Sequence, residues 1–335
     1  MMRNFSRPLL LVAALVPFLS ASISPAALIH RYSFNSPAGD ATDAVLTDSV
    51  GSADGVVLGS GALFTGSALD LPGGSSDTAA YGDLPNNLIS PLTELTIEGW
   101  ITIDGGVNNW GRIFDFGSTE PGGSVDGEVT GPGNTNGGGT AGLDYFILTA
   151  SRGADYDVQR IEVRNEDPAG GGITTIDSGV GTIFGQQFHY AVTWRDTGPG
   201  TSEISYWRDG VKLTDSAVVG SNIGDVNDVN NWLGRSTWLN DGNTDATYDE
   251  FRIYDTALDD TQISDSRAAG PNAVIAPPGD SDADGIPDEY EDRYPFLNPM
   301  DPSDAPLDED TDGLSNLGEY EEKTKPDVAD SDEDG

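Results

Sequence analysis

Two stretches near the C-terminus repeat one spacing of oxygen-bearing side chains, with aspartates at loop positions 1, 3 and 5, glycine at 6, and further donors at 9 and 12. They run from Asp280 to Glu291 and from Asp308 to Glu319. Calcium takes roughly six to eight oxygen ligands, so these groups and the carbonyl of residue 7 can wrap one ion. Residues 280–335 hold 21 acidic and 3 basic side chains, whose self-repulsion disfavours folding without cations. This segment is therefore predicted to fold around Ca²⁺.

The predicted ligands of each loop are the five oxygen-bearing side chains and the backbone carbonyl at position 7. They are Asp280, Asp282, Asp284, Ile286, Asp288 and Glu291 in the first loop, and Asp308, Asp310, Asp312, Leu314, Asn316 and Glu319 in the second. A third copy begins with Asp330, Asp332 and Asp334, and the sequence stops before its later positions. The alternative is a solvated acidic tail, but agreement of two segments at every diagnostic position favours calcium loops.

These loops resemble thrombospondin type 3 repeats in the bacterial form that lacks cysteine. The resemblance includes the linker Asn-Pro-Met-Asp-Pro-Ser-Asp, from Asn298 to Asp304, between the first two copies. Animal repeats carry disulfides and this chain has no cysteine, so the resemblance implies that metal takes over their role. Pro287 and Pro295 limit helix length around the first loop, which argues against paired EF-hands.

Residues 1–27 have the features of a secretory signal peptide. Arg3 and Arg7 precede an apolar core from Leu9 to Leu19, and small residues offer a cleavage site before Leu28. The alternative is a retained membrane anchor. No later apolar run approaches the roughly 20 residues of a transmembrane helix. We therefore expect a secreted or cell-surface protein without direct membrane insertion.

Residues 28–270 show the alternation that is typical of β-strands. Leu95, Ile97, Ile101 and Ile103 would share one face of a strand, and residues 188–194 repeat the pattern. Many such runs between turn residues, with Asp209-Gly210 as a hairpin turn, predict an all-β antiparallel sandwich or barrel. Only 259–269 looks helical, and the proline-rich residues 271–279 are predicted to link this domain to the repeat array at 280–335.

An ordered series of short sequence motifs makes the fold class more specific. They lie at residues 28–35, 48–51, 54–55, 66–71, 95–100, 206–210 and 249–254. The chain resembles the laminin-G-like members of the concanavalin A-like lectin/glucanase superfamily, which implies a two-sheet jelly roll. The resemblance also implies a structural calcium between Asp48 and Asp249, although a carboxylate in a polar turn is solvated by default.

Exposed tryptophans are candidates for stacking against sugar rings. Trp110, Trp232 and Trp238 lie among Asn, Asp, Arg and Gly, and we predict them as ligand-binding residues, with packing as the alternative role. The predicted partner is a polysaccharide or a cell-surface glycan or protein. The net charge of −40 argues against nucleic acid and anionic membrane surfaces.

The sequence offers little support for catalysis. It lacks a Cys nucleophile, a Gly-x-Ser-x-Gly elbow and a His-Glu-x-x-His motif. The Glu-x-Asp-x-x-Glu strand word of the superfamily's glucanases is also missing. We therefore expect a non-catalytic binding or adhesion protein. The alternatives are an ancillary fragment of a longer polysaccharide-degrading enzyme and a structural surface spacer.

Overall fold

The computed structural model describes residues 28–104, 109–119, 127–133, 141–165, 172–273, 280–282, 284–322 and 324–329. The predicted signal peptide lies outside the described residues. So do Asp330, Asp332 and Asp334 of the third repeat and most of the predicted linker.

The described residues form seventeen β-strands and three α-helices. The strands are β1 (Leu28–Tyr32), β2 (Gly39–Asp40), β3 (Val45–Leu46), β4 (Gly55–Leu58), β5 (Leu63–Phe64), β6 (Leu69–Gly74), β7 (Tyr81–Leu84), β8 (Glu94–Ile103), β9 (Arg112–Thr119), β10 (Gly142–Thr149), β11 (Arg160–Asn165), β12 (Ile173–Asp177), β13 (Gln187–Gly198), β14 (Thr201–Arg208), β15 (Val211–Val219), β16 (Asn230–Leu233) and β17 (Asn243–Tyr254). The helices are α1 (Asp260–Ala269), α2 (Asp288–Glu291) and α3 (Asn316–Glu322).

The strands pair antiparallel in two sheets, so the predicted all-β antiparallel sandwich is confirmed. Sheet A has nine strands in the order β15-β14-β13-β8-β17-β6-β5-β2, with β1 also paired to β17. Sheet B has eight strands in the order β12-β11-β10-β9-β16-β7-β4-β3. This arrangement is consistent with a jelly roll.

One apolar core fills the space between the sheets. Leu95 and Ile97 of sheet A and Phe114 and Phe146 of sheet B are fully buried in it. Phe146 packs edge-to-face against Trp194, with ring centroids 4.9 Å apart. The strict alternation of β8 and β13 supplies this face, because successive side chains of a strand point to opposite sides.

The predicted turn and helix are both present. Asp209 and Gly210, with φ of 53° and 77°, connect β14 to β15 in the left-handed conformation that a tight hairpin requires. Asp259 caps α1 by accepting hydrogen bonds from the amides of Thr261 and Gln262.

Part of the outer side of sheet A, beside α1, is also buried around an ionic network. Arg252 has no exposed surface and donates to Glu98 at 3.1 Å and to Glu250 at 2.7 Å. The third nitrogen of the Arg252 guanidinium, Nη2, donates to the carbonyls of Pro271 and Ala273 at 2.9 and 2.8 Å. The network therefore holds the segment that leaves α1 against sheet A.

The C-terminal segment consists of loops with short helices. Gly285 and Gly313, at loop position 6, have φ of 95° and 105°, as the predicted sharp turns require. Ile286 and Leu297 are buried there. Within the described chain, no helix has the length and apolarity needed to cross a membrane.

Candidate functional site

The first acidic loop brings its carboxylates together as its spacing predicts. Oxygens of Asp280, Asp282 and Asp284 lie within 4.8 Å of one another. Asp284 belongs to a second group as well, in which its carboxylate, Glu291 and Asp304 approach within the same distance. Such convergence of like charges is costly unless a cation or protons compensate it.

Glu291 is the most informative member of this cluster. Its side chain is fully buried, and neither of its carboxylate oxygens has a hydrogen-bond partner among the described residues. A buried carboxylate is normally paired, hydrogen-bonded or bound to a metal. The two free oxygens fit the bidentate role predicted for position 12 of a calcium loop.

Asp304 joins the cluster although it lies outside the repeat spacing that predicts the ligands. It is 5% exposed, and one carboxylate oxygen accepts from the amide of Asn298 at 2.7 Å. The other oxygen has no protein partner in the described part of the chain. The sequence feature that could have indicated this role is the linker motif from Asn298 to Asp304, which ends in this aspartate after a run of turn residues.

The structure gives Asp288, at position 9, different contacts from the other predicted ligands. Its two carboxylate oxygens accept from the amide and the hydroxyl of Ser281, both at 2.6 Å. It is not part of either acidic group. Its predicted role as a calcium ligand stays a prediction, whereas Asp304 occupies the cluster directly.

The second loop repeats the arrangement. Oxygens of Asp308, Asp310 and Asp312 lie within 4.8 Å of one another. Glu319 is fully buried, and both of its carboxylate oxygens are unpartnered within the described ranges. Asn316 donates from its side-chain amide to the carbonyl of Asp304 at 2.8 Å, so the second loop contacts the residue that completes the first.

Burial and mutual repulsion change the protonation of these glutamates. Burial, followed by the charges of Asp284 and Asp282, raises the pKa of Glu291 to about 8. Burial, with Asp310 and Asp312, raises the pKa of Glu319 to about 7. A group whose pKa is raised on folding stabilises the fold below its unfolded pKa and loses that contribution as the pH rises through the folded value. The ion-free loops should therefore lose stability between about pH 4 and pH 8.

At pH 6.5, below the raised pKa values of Glu291 and Glu319, the ion-free loops keep part of their stability with these glutamates protonated. We therefore expect calcium binding to the full chain to release protons at this pH, because carboxylates must be deprotonated to ligate. Below the pKa of these groups, the apparent affinity for calcium should fall about tenfold for each unit by which the pH is lowered, per proton displaced. Calorimetric titration at pH 6.5 in two buffers of different ionisation enthalpy measures the release. Equal heats in both buffers, with detectable binding, would contradict this expectation.

Asp48 and Asp249, which are predicted to hold a structural calcium, each have hydrogen-bond partners within the protein. One oxygen of Asp48 accepts from the amides of Arg31 and Gly51 at 2.9 and 3.0 Å. The other accepts from the His30 ring at 2.7 Å. These donors hold the pKa of Asp48 well below its usual range. Asp249 accepts from the Gln187 side chain at 2.8 Å. Protein N–H groups thus already satisfy the Asp48 carboxylate, and the calcium between Asp48 and Asp249 stays a prediction.

Trp232 does not present a ring for stacking, contrary to the prediction. It lies in β16, is fully buried, and donates from Nε1 to Asp83 at 2.8 Å. Tyr81 packs edge-to-face against it, and the Arg235 guanidinium lies 4.7 Å from its ring centroid. Its polar sequence neighbours reflect this buried network and not a solvent-exposed loop.

Trp110 and Trp238 are both partly exposed and lie on the outer side of sheet B. Each is next to an arginine of β11. The Arg160 guanidinium lies 5.7 Å from the ring centroid of Trp110, and that of Arg164 lies 5.1 Å from the ring centroid of Trp238. Tertiary structure thus brings two of the three predicted tryptophans to one strand.

The part of the chain that matches a known protein family lies in the sandwich. A laminin-G family profile, described as the concanavalin A-like lectin/glucanases superfamily, matches residues 76–264, more than half of the chain. No curated protein matches the sequence.

Solved structures with a similar fold have low sequence identity. Domain 4 of AbnA, a GH43 extracellular arabinanase from Geobacillus stearothermophilus in complex with arabinotriose, is 18% identical with a TM-score of 0.50, covering 72% of this chain and 98% of that one. The binding domain of botulinum neurotoxin DC in complex with SialylT is 14% identical with a TM-score of 0.46, covering 69% and 50%. At these identities the likeness concerns the fold alone. The profile match shows the family: the chain belongs to the concanavalin A-like lectin/glucanase superfamily.

Proposed function

We propose that this protein is a secreted, non-catalytic glycan-binding protein whose jelly roll contacts a polysaccharide or a cell-surface glycan and whose C-terminal loops bind calcium. The observation that carries the calcium part is the pair of fully buried glutamates, Glu291 and Glu319, whose four carboxylate oxygens are unpartnered among the described residues. A hard divalent cation matches oxygen ligands of this kind.

The glycan part rests on the family and on the surface tryptophans. The AbnA domain was solved with arabinotriose, and the present sandwich carries Trp110 and Trp238 partly exposed on one face. A ring can stack on the apolar face of a sugar while neighbouring polar groups bind its hydroxyls.

The calcium ligands in this proposal include one from outside the repeat. Asp280, Asp282, Asp284 and Glu291 hold the first ion with the carboxylate of Asp304. Asp308, Asp310, Asp312 and Glu319 hold the second. Bound calcium would neutralise the repulsion within each cluster.

Asp304→Asn should weaken calcium binding at the first loop, because the substitution removes a charged oxygen from its cluster. The loss should be at least the roughly tenfold that removal of a supporting partner costs in a metal site. Calorimetric titration of the full chain should then resolve one weakened site and one of unchanged affinity.

The matched control is Asp301→Asn, three residues earlier in the same linker. Asp301 is exposed and accepts hydrogen bonds from Ser303. This variant should bind calcium like the unmodified chain. Identical titrations for Asp304→Asn and the unmodified chain would remove Asp304 from the site.

Binding without cleavage is tested by retention of the full chain on insoluble polysaccharides while reducing ends are assayed in the same samples. Retention without new reducing ends is the expected outcome. Release of reducing ends would establish a hydrolase instead, and absence of retention on every glycan would favour the spacer or protein-adhesion alternatives.

A further inference from the structure

We infer that the glycan-binding surface is the outer face of β11 between Trp110 and Trp238, and that it takes an uncharged polysaccharide chain lying along this strand. The inference rests on the proposed glycan-binding function and adds its location and the chemical class of the ligand.

Alternation along β11 gives this surface its polar centre. Arg160, Glu162 and Arg164 are partly exposed on the outer side, whereas Ile161 and Val163 between them are buried in the core. The first and last Cα atoms of such a stretch are about 13 Å apart at the usual strand rise. The surface can therefore contact several units of a chain.

One buried network positions both tryptophans. Arg112 donates to the carbonyl of Trp110, and its Nε donates to Asp115 at 3.0 Å. Asp115 also accepts hydrogen bonds from the amide and the hydroxyl of Thr237, in the segment between β16 and β17, at 2.9 and 3.0 Å. Trp238 follows directly, so the loops that carry the two rings are fixed to the same pair of β9 residues.

Trp110 is also held in an unusual backbone conformation. Its φ is 64°, in the left-handed region that large side chains avoid. A residue stays in such an unfavourable backbone conformation only where its surroundings impose it, and residues of this kind are frequent at binding sites. The Arg112 contact and the packing of the ring beside Gly153 supply that constraint.

The charges on this surface are balanced, which favours an uncharged ligand. Arg160 pairs with Asp177, with Nε and Oδ1 at 2.7 Å, and lies 3.6 Å from Glu162. Glu162 also accepts from the hydroxyl of Tyr145 at 2.6 Å. Guanidinium donors and carboxylate acceptors side by side suit sugar hydroxyls, which donate and accept. A polyanion would gain no net charge attraction here and would meet the field of a chain of net charge −40.

Retention of the full chain should be measured on arabinan, xylan and cellulose as uncharged probes and on polygalacturonate as an anionic one. Trp110→Ala and Trp238→Ala should each weaken retention about five- to tenfold, from the loss of one aromatic contact. The control Leu63→Ala removes a 48% exposed apolar side chain from sheet A and should leave retention unchanged.

A footprint on the unmodified chain avoids dependence on folding of the variants. Oxidation of tryptophans followed by peptide mass spectrometry should show Trp110 and Trp238 protected by the retained polysaccharide, with the buried Trp232 unreactive in both states. If the chain is retained but the substitutions do not weaken retention and the footprint shows no protection of Trp110 and Trp238, the proposed location is overturned. Glycan binding itself would still stand. Preference for polygalacturonate would overturn the ligand class. Failure of every probe to retain the chain would overturn the function as well.

Discussion

Removal of calcium should unfold residues 280–322 while the sandwich of residues 28–270 stays folded. At pH 7.5 the ion-free loops have lost most of the stability that protonated glutamates give them at lower pH. Their ionised carboxylates then have no compensating cation, and Glu291 and Glu319 cannot reach water because they are fully buried. Loops of this kind in extracellular proteins bind at roughly 10⁻⁴ to 10⁻³ M. At tenfold excess over the dissociation constant, each ion adds about 1.4 kcal/mol to the folded state.

Hydrogen exchange of the full chain, with calcium and with chelator at pH 7.5, measures this directly. Amides of the two loops should exchange at the rate of an unfolded chain in chelator and become protected in calcium, while amides of β8 and β13 keep their protection in both. Glu291→Gln and Glu319→Gln should each reduce the effect of calcium on their own loop. Equal protection of the loops in chelator would show that they fold without the ion.

Arg252→Ala should destabilise the sandwich by about 3–5 kcal/mol, the usual cost of removing one partner of a buried ion pair. The substitution leaves the carboxylates of Glu98 and Glu250 without their shared cation in a site that water does not reach. It also removes the donors to the carbonyls of Pro271 and Ala273. In a domain of this size the melting temperature should fall by about 10 °C.

The control is Arg195→Ala, which removes an exposed arginine paired with Glu94 at 3.1 Å on the same sheet. A surface pair of this kind contributes about 0–1 kcal/mol, so its melting temperature should change little. Thermal unfolding followed by circular dichroism compares the two variants. A similar small shift for both would mean that Arg31 beside Glu250, and His189 and Ser266 beside Glu98, compensate the loss of Arg252.

Residues close together in the sequence determined much of this protein. The alternation of β8 and β13 predicted the core face, and Asp209-Gly210 predicted the hairpin turn, because the side-chain period of a strand and the φ preference of glycine act locally. The aspartate spacing likewise predicted the convergence of Asp280, Asp282 and Asp284. Only a few covalent bonds separate these residues, so the turn at Gly285 suffices to bring them together.

Tertiary structure decided what depends on distant contacts. Asp304 enters the first acidic cluster from the linker, and Tyr81 and Asp83 bury Trp232. The amide of Arg31 and the ring of His30, both distant in sequence, help to satisfy Asp48. Trp110 and Trp238 share a face only because β9 anchors both of their loops. Local spacing fixes which groups a short loop can gather, whereas burial and the pairing of polar groups depend on segments that only the folded chain brings into contact.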